Sequence, residues 1–209
     1  EEAVDRFFIF AFAPFAASVL MAQAAASGAL IKTGPGTVSL TYPGVNTLTV
    51  YESNSDNLQN SGANGDSPTT GFAGLTINQG KLVLGAPGQT NICNQRVSIG
   101  AFTTTNANQE TSGELEMNDG VFLCNTTFSI GRANGTEITA PGGTTSRLVV
   151  NGGTMSVNLL ALGYIGSAGA GYNARPSCVI NGGSLNVATY CNIGENAGSI
   201  ATVAVSGGA

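Results

Sequence analysis

The sequence contains no histidine and no tryptophan, and charged residues make up only 9% of its 209 positions. Histidine is the commonest general base near neutral pH and the commonest metal ligand, so its absence disfavours both acid–base catalysis and metal binding. Seven Lys and Arg stand against 12 Asp and Glu, a net charge of −5. Nucleic acids and anionic lipids require clustered cations, which this chain lacks. We therefore predict a structural protein, with no enzymatic activity, no cofactor, no metal ion and no nucleic-acid partner.

What remains is a chain rich in small and apolar residues. Glycine occurs 30 times, and hydrophobic residues make up 42% of the sequence. The surface must then be covered mainly by Ser, Thr, Asn and Gly, a composition typical of β structure with many tight turns. Low surface charge also favours association between copies.

Residues 1–27 form a separate apolar segment. No charge occurs between Arg6 and Lys32, and twenty apolar or small residues of this run in helical form span about 30 Å, roughly one bilayer core. Three interpretations compete: a secretory signal, a membrane anchor, and a helix buried by protein. The acidic start of the chain argues against a signal, and Pro14 argues against an anchor. We favour a protein-buried helix that serves assembly or anchoring, with membrane contact left open. Its candidate contact residues are Phe7, Phe8, Phe10, Phe12 and Phe15.

From residue 28 onward the sequence repeats a short apolar strand, an Asn-x-Gly turn and a second strand with alternating polarity. The turn asparagines are Asn78, Asn118, Asn151 and Asn181, with separations of 40, 33 and 30 residues. Strands of successive units stack about 4.8 Å apart, so equivalent side chains form columns. We predict that these four asparagines form a hydrogen-bonded ladder at one corner of the fold.

A second landmark is an Ile-Gly pair followed by a polar loop of variable length. The pairs are Ile99-Gly100, Ile130-Gly131, Ile165-Gly166 and Ile193-Gly194. Constant strands with variable loops on one side are typical of a solenoid. We therefore predict an all-β solenoid over residues 28–209, with a polar loop insertion at about residues 52–70.

Two segments of the repeat region carry a family resemblance. Residues 28–40 and the stretch Leu75-Thr76-Ile77-Asn78-Gln79-Gly80-Lys81-Leu82-Val83-Leu84-Gly85 resemble the autotransporter-associated β-strand repeat of bacterial secreted and surface proteins. The resemblance implies a right-handed parallel β-helix. It also implies export to the cell surface or the extracellular space, and an adhesive or structural role.

The four cysteines suggest two disulfides. Cys93 and Cys124 each lie seven residues before the glycine of an Ile-Gly pair, so they share a column with Cα atoms about 5 Å apart. Cys178 and Cys191 flank the turn at Asn181 and can bridge only if both point inward. We predict the bonds Cys93–Cys124 and Cys178–Cys191, with buried thiols as the alternative.

One cluster of charges tests the enzyme hypothesis, because parallel β-helices host polysaccharide-active enzymes. Acidic residues at positions 110, 114, 116 and 119 accompany arginines at 96, 132 and 147. No motif completes an active site, and cross-strand ion pairs on a solvent face explain the cluster more simply. A polysaccharide-active enzyme is therefore the least favoured alternative.

The last residues complete the functional prediction. Val203-Ala204-Val205-Ser206-Gly207-Gly208 begins another unit. Val203 and Val205 would then form an apolar open edge, which a second copy could cover through its N-terminal region. We predict an extracellular structural subunit whose partner is itself and which polymerises head to tail into a fibre or surface layer. The alternatives are a monomeric adhesin that binds cell-surface glycans and a fragment of a longer passenger.

Overall fold

The structure, a computed structural model, is all-β wherever it describes the chain, and its strands pair in parallel within two sheets. It describes residues 18–19, 30–32, 36–40, 44–48, 75–77, 79–94, 96–100, 112–131, 145–163, 174–194 and 198–207. The strands are β1 (Ser18–Val19), β2 (Leu30–Lys32), β3 (Thr37–Leu40), β4 (Gly44–Leu48), β5 (Leu75–Ile77), β6 (Lys81–Leu84), β7 (Gln89–Cys93), β8 (Val97–Ile99), β9 (Glu114–Met117), β10 (Val121–Ile130), β11 (Arg147–Val150), β12 (Thr154–Leu162), β13 (Ser177–Ile180), β14 (Ser184–Ile193) and β15 (Thr202–Val205).

The chain passes back and forth between the two sheets. The first sheet has seven strands in the order β1-β3-β6-β9-β11-β13-β15. The second has eight: β14-β12-β10-β8-β5-β2 in order, with β7 beside β10 and β4 beside β7. From β9 to β13 each strand of the first sheet is followed by one long strand of the second, and we call such a pair a unit.

The register of the first sheet is regular over five strands. Lys81, Glu114, Arg147, Ser177 and Thr202 lie side by side, at separations of 33, 33, 30 and 25 residues. Inward and outward residues alternate along each strand, so Leu115 and Met117 of β9 are buried whereas Glu114 and Glu116 face outward. This period of two is what a half-buried strand requires.

The core lies between the inner faces of the two sheets. The first sheet contributes aliphatic columns such as Leu82, Leu115 and Leu148, and the second contributes aromatic and aliphatic side chains of β10 and β12. Phe122 and Phe128 of β10 meet edge to face with ring centroids 6.0 Å apart, an arrangement that aromatic pairs prefer. Successive units thus bury one continuous apolar interior.

Glycines at the turn between the sheets allow the units to stack closely. Gly183 has a φ of +71°, and a Cβ there would lie 2.4 Å from the carbonyl oxygen of Gly153. Its neighbour Gly182 faces the carbonyl oxygen of Asn151, and a Cβ there would lie 2.5 Å from it. The Asn-Gly-Gly sequence therefore follows from backbone geometry and close approach.

The register corrects the predicted alignment of the first unit. Leu75–Ile77 pair with Val97–Ile99 in the second sheet, whereas Asn118 follows a strand of the first sheet. The amide of Asn118 donates to the carbonyl oxygen of Leu84 at 2.8 Å, so the position preceding Asn118 in its column is Gly85. Asn78 lies outside the described residues, and it follows the second-sheet strand β5. The predicted alignment of these turns was wrong because a polar residue followed by glycine occurs after strands of both sheets.

A second alignment also shifts. Ile130 pairs with Leu162, and Leu162 pairs with Ile193. Leu162-Gly163 therefore occupies the position predicted for Ile165-Gly166, which lies outside the described residues. The amide of Gly163 donates to the carbonyl oxygen of Ile130 at 2.8 Å. The column therefore keeps a branched aliphatic side chain, with leucine at 162 between isoleucines at 130 and 193.

Within the predicted N-terminal helix the structure describes two residues. Ser18–Val19 form β1, which pairs in parallel with Val38–Ser39 of β3, so a helix does not run through them. The rest of residues 1–27 lies outside the described residues, as does the predicted insertion at 52–70. The described ranges contain no helix with the length and hydropathy of a membrane span.

Candidate functional site

The two sheets end together at the C-terminal side of the described chain. Strand β15 is the outermost strand of the first sheet, and β14 is the outermost strand of the second. Each has a neighbour on one side only, β13 and β12 respectively. We call the surface formed by β14 and β15 the open end.

Core columns of the first sheet become exposed at the open end. Val203 and Val205 are 42% and 66% exposed. In the same two columns, Leu148 and Val150 of β11 are fully buried. Among the described strands, Val203 and Val205 have a neighbour on one side, β13, whereas Leu148 and Val150 have neighbours on both sides.

The second sheet behaves in the same way. Ile193 is 53% exposed, whereas its register partner Leu162 is fully buried. Tyr190 is exposed and its partner Leu159 is buried. Exposed apolar side chains therefore occur on the outermost described strand of both sheets.

A ladder of side-chain hydrogen bonds runs along one corner to the open end. The Nδ2 of Asn151 donates to Oδ1 of Asn118 at 2.8 Å, and the Nδ2 of Asn181 donates to Oδ1 of Asn151 at 2.8 Å. Ser206 then donates its hydroxyl to Oδ1 of Asn181 at 3.0 Å. Three of the four predicted ladder residues are thus brought together.

A second corner carries a ladder that the sequence analysis missed. Asn125 donates to Oδ1 of Asn94 at 2.6 Å, and Thr189 donates to Oδ1 of Asn158 at 2.6 Å. Residues 93, 124 and 157 are register partners in one column. The next residue in the sequence after each of them is an asparagine: Asn94, Asn125 and Asn158. The Cys-Asn dipeptide at two of these positions was the available signal.

The hydrogen bonds of both ladders run in the same direction, and both ladders finish with a hydroxyl group. In every bond the later unit donates to the earlier one. At the open end the asparagine is replaced by a hydroxyl, Ser206 at one corner and Thr189 at the other. A hydroxyl that donates its proton backwards retains lone pairs that accept from a further unit.

The cysteines lie on the inner faces, and none of the four forms a disulfide in the structure. Cys93 and Cys124 are direct register partners on β7 and β10. Side chains of in-register parallel neighbours point the same way, about 4.8 Å apart, whereas a disulfide needs Cβ atoms about 3.5–4.5 Å apart. The predicted Cys93–Cys124 bond rested on Cα separation alone, and this parallel geometry opposes it.

Cys178 and Cys191 are arranged differently. Cys178 is buried in the first-sheet column of Leu148, and Cys191 occupies the second-sheet column of the buried Leu160. Both positions face the core from opposite sheets, which is the condition for the predicted bridge. Burial, with a further contribution from Cys191, raises the pKa of Cys178 to about 11. Cys191 is the exposed member of the pair.

The acidic cluster forms cross-strand ion pairs. Lys81 Nζ lies 2.7 Å from Oε1 of Glu114 and 2.5 Å from Oε2 of Glu116. Hydrogen bonding to Lys81 lowers the pKa of Glu116, and Arg147 approaches Glu114 at 4.0 Å. Arg96 is instead buried in the core, away from this outer face.

The remaining predicted site residues divide between described and undescribed parts of the chain. Glu110 and Arg132 lie outside the described residues, as do the five assembly candidates Phe7, Phe8, Phe10, Phe12 and Phe15. No group of three or more acidic or cysteine side chains suited to a metal ion occurs in the described ranges. Comparisons with protein-family models, curated proteins and solved structures find no match to this chain.

Proposed function

We propose that the chain is an extracellular structural subunit that assembles head to tail into a fibre or surface layer. The single observation that carries the proposal is the open end. Core columns that are buried in the preceding units are exposed there on both sheets, for example Val205 and Ile193. Burying this surface against another copy gives a favourable apolar contribution.

The proposal includes a right-handed parallel β-helix as the architecture. It is supported by strict alternation between two parallel sheets from β9 to β15, with steps of about 25–33 residues in the first sheet. Connections between parallel strands of one sheet are right-handed in about 98% of cases. In this architecture each unit is one turn of a solenoid, and each turn covers its neighbour.

A parallel solenoid has two unlike ends, which sets the mode of assembly. Strands β14 and β15 end the sheets on one side, and β1 and β2 are the outermost strands on the other. Contact between unlike ends is heterologous, so it repeats without closing unless the rotation makes a ring. Such contact therefore generates a filament.

Hydrogen bonding at the open end supports a polypeptide partner. An outermost parallel strand leaves half of its backbone groups available to another strand. Ser206 and Thr189 extend the two corner ladders to this end with acceptor capacity remaining. A second copy that offers a β-strand can pair with both the backbone groups and the two hydroxyls. The location outside the cell is supported by the family resemblance and by the charge-poor composition.

The test is assembly of the full chain, measured by sedimentation velocity over a concentration series and by negative-stain electron microscopy. Val205→Lys places a charge in the exposed core column of β15. Ala204→Lys is the matched control, because Ala204 is exposed on the outward side of the same strand.

We expect wild type and Ala204→Lys to form filaments and Val205→Lys to remain monomeric with an unchanged circular dichroism spectrum. A wild-type chain that stays monomeric at every concentration overturns the proposal. So does equal assembly of the two lysine variants.

A further inference from the structure

We propose that Cys178 and Cys191 form a thiol–disulfide site that locks the last unit and regulates docking at the open end. The inference rests on the proposed function, since the regulated event is assembly. It also separates the two predicted cysteine pairs, because only Cys178 and Cys191 face each other across the core.

The geometry favours this pair. Cys178 lies on the inner face of β13, in the column of the core residue Leu148. Cys191 lies on the second sheet in the column of the core residue Leu160. Side chains on facing sheets point towards one another, and the charge of Cys191 contributes to the raised pKa of Cys178, so the two thiols lie within electrostatic reach of each other.

Cys93 and Cys124 have neither the facing orientation of Cys178 and Cys191 nor an exposed member. They are neighbours within one sheet, so their Cα–Cβ bonds run side by side. Both are also almost fully buried, whereas Cys191 is exposed to solvent at the open end. An oxidant therefore reaches only one of the two pairs.

The reaction is exchange with a low-molecular-weight disulfide such as oxidised glutathione. The Cys191 thiolate attacks one glutathione sulfur, breaks the glutathione S–S bond and releases one glutathione thiolate, which takes up a proton. The Cys178 thiolate then attacks the mixed disulfide at the Cys191 sulfur, forms the protein S–S bond and releases the second glutathione. Two cysteines are oxidised and one glutathione disulfide is reduced to two thiols.

The order of attack follows from exposure, since burial raises the pKa of both thiols and Cys191 is the exposed one. Cys178 is buried and stays protonated at neutral pH, because its pKa is raised to about 11. Cys191 is the accessible thiol, so it meets the oxidant first. Ionisation of Cys178 controls the second step, and closure of the bond therefore accelerates as pH rises.

The bond would prepare the open end for docking. It joins β13 to the distal half of β14, the part that carries the exposed Tyr190 and Ile193. Restricting this strand before contact removes part of the ordering cost of association. Assembly should therefore occur at a protein concentration about threefold to tenfold lower in the oxidised state.

The experiment compares the full chain in oxidised glutathione and in dithiothreitol. Non-reducing peptide mapping identifies the bonds, and sedimentation velocity gives the concentration at which assembly begins. We expect a Cys178–Cys191 bond, reduced Cys93 and Cys124, and assembly at lower concentration after oxidation. Cys191→Ser should abolish the redox response. Cys124→Val, which places in the Cys124 column the residue type found at Val157, should retain it.

The outcomes separate this inference from the proposed function. If filaments form but no Cys178–Cys191 bond is found, the inference is wrong and the proposed function stands. If the bond forms but the onset of assembly is the same in both states, the regulatory role is wrong. If neither state assembles, the proposed function fails and the docking role of the bond fails with it.

Discussion

An interior unit of this protein and the last unit that the structure describes, called here the terminal unit, have matched sequences and opposite environments. The interior unit consists of β11 and β12, and the terminal unit consists of β13 and β14 followed by β15. Leu162 of the interior unit is fully buried, and Ile193 in the same column is half exposed. In this fold, the burial of a core side chain thus depends on the next unit along the axis as well as on the unit that contains it.

The comparison supports the proposal that the open end is an interaction surface. Val203, Val205 and Ile193 continue the apolar columns of the core, and in the described part of the chain each has a neighbouring strand on one side. A surface selected for solvent contact would carry polar side chains in these columns. On the last described strand, Val203 and Val205 are apolar.

The largest expected effect on stability comes from shortening a side chain to alanine at one of two positions in the same column. Leu162→Ala should lower the free energy of unfolding by about 2–5 kcal/mol, because it leaves a cavity in a closed core. Ile193→Ala should cost less than about 1 kcal/mol in the monomer, since its side chain is half exposed. Chemical denaturation at low protein concentration measures both. Equal losses would show that the terminal unit is already covered.

The next effect is the alkaline stability that depends on Cys178. Between its ordinary pKa of 9.0 and the folded value of about 11, the unfolded chain releases the proton and the folded chain retains it. Stability from this group is complete below pH 9 and falls as pH rises towards 11, by about 2 kcal/mol. The comparison is with Cys178→Val, which removes the ionisable group. Identical pH dependence of unfolding in the two proteins would contradict the burial of the thiol.

Smaller losses are expected along the asparagine ladder. Asn151 makes two ladder bonds and Ser206 makes one. Asn151→Ala should therefore cost about 1–2 kcal/mol and Ser206→Ala about 0.5–1 kcal/mol. Urea titrations of the two variants give the difference. A larger loss for Ser206→Ala than for Asn151→Ala would contradict the ladder.

The smallest effect is predicted for the outer-face ion pairs. Glu116→Gln should lower stability by less than about 1 kcal/mol at low salt, and the loss should fade in 1 M salt because the pair is partly exposed. Lys81 lowers the pKa of Glu116 below its ordinary value of 4.5, so this contribution is present above pH 4.5 and is lost as pH falls through the folded pKa. A salt-independent loss would indicate a packing effect.

Part of the fold could be predicted because periodicity in sequence maps directly onto strands. The all-β class, the parallel pairing of strands and the column that holds Cys93 and Cys124 follow from spacing. The alignment of the first unit could not be predicted. A polar residue followed by glycine occurs after strands of both sheets, so the sequence does not show which turns align. Only the pairing of the strands shows that Gly85 precedes Asn118 in the ladder column.

The candidate site divides in the same way. Val203 and Val205 could be identified, because their alternation continues the preceding units. Tyr190 and Ile193 were not predicted as part of this surface, since only their register with Leu159 and Leu162 shows that they face the same end. The second ladder escaped notice because the register shifts next to it, between Val157 and Leu159.

The most direct test of the central claim is hydrogen–deuterium exchange of the full chain at increasing protein concentration. We predict that the amides of β14 and β15 become protected as concentration rises, while those of β11 and β12 exchange at the same rate throughout. Concentration-independent exchange of β14 and β15 would contradict the claim that a second copy covers the open end.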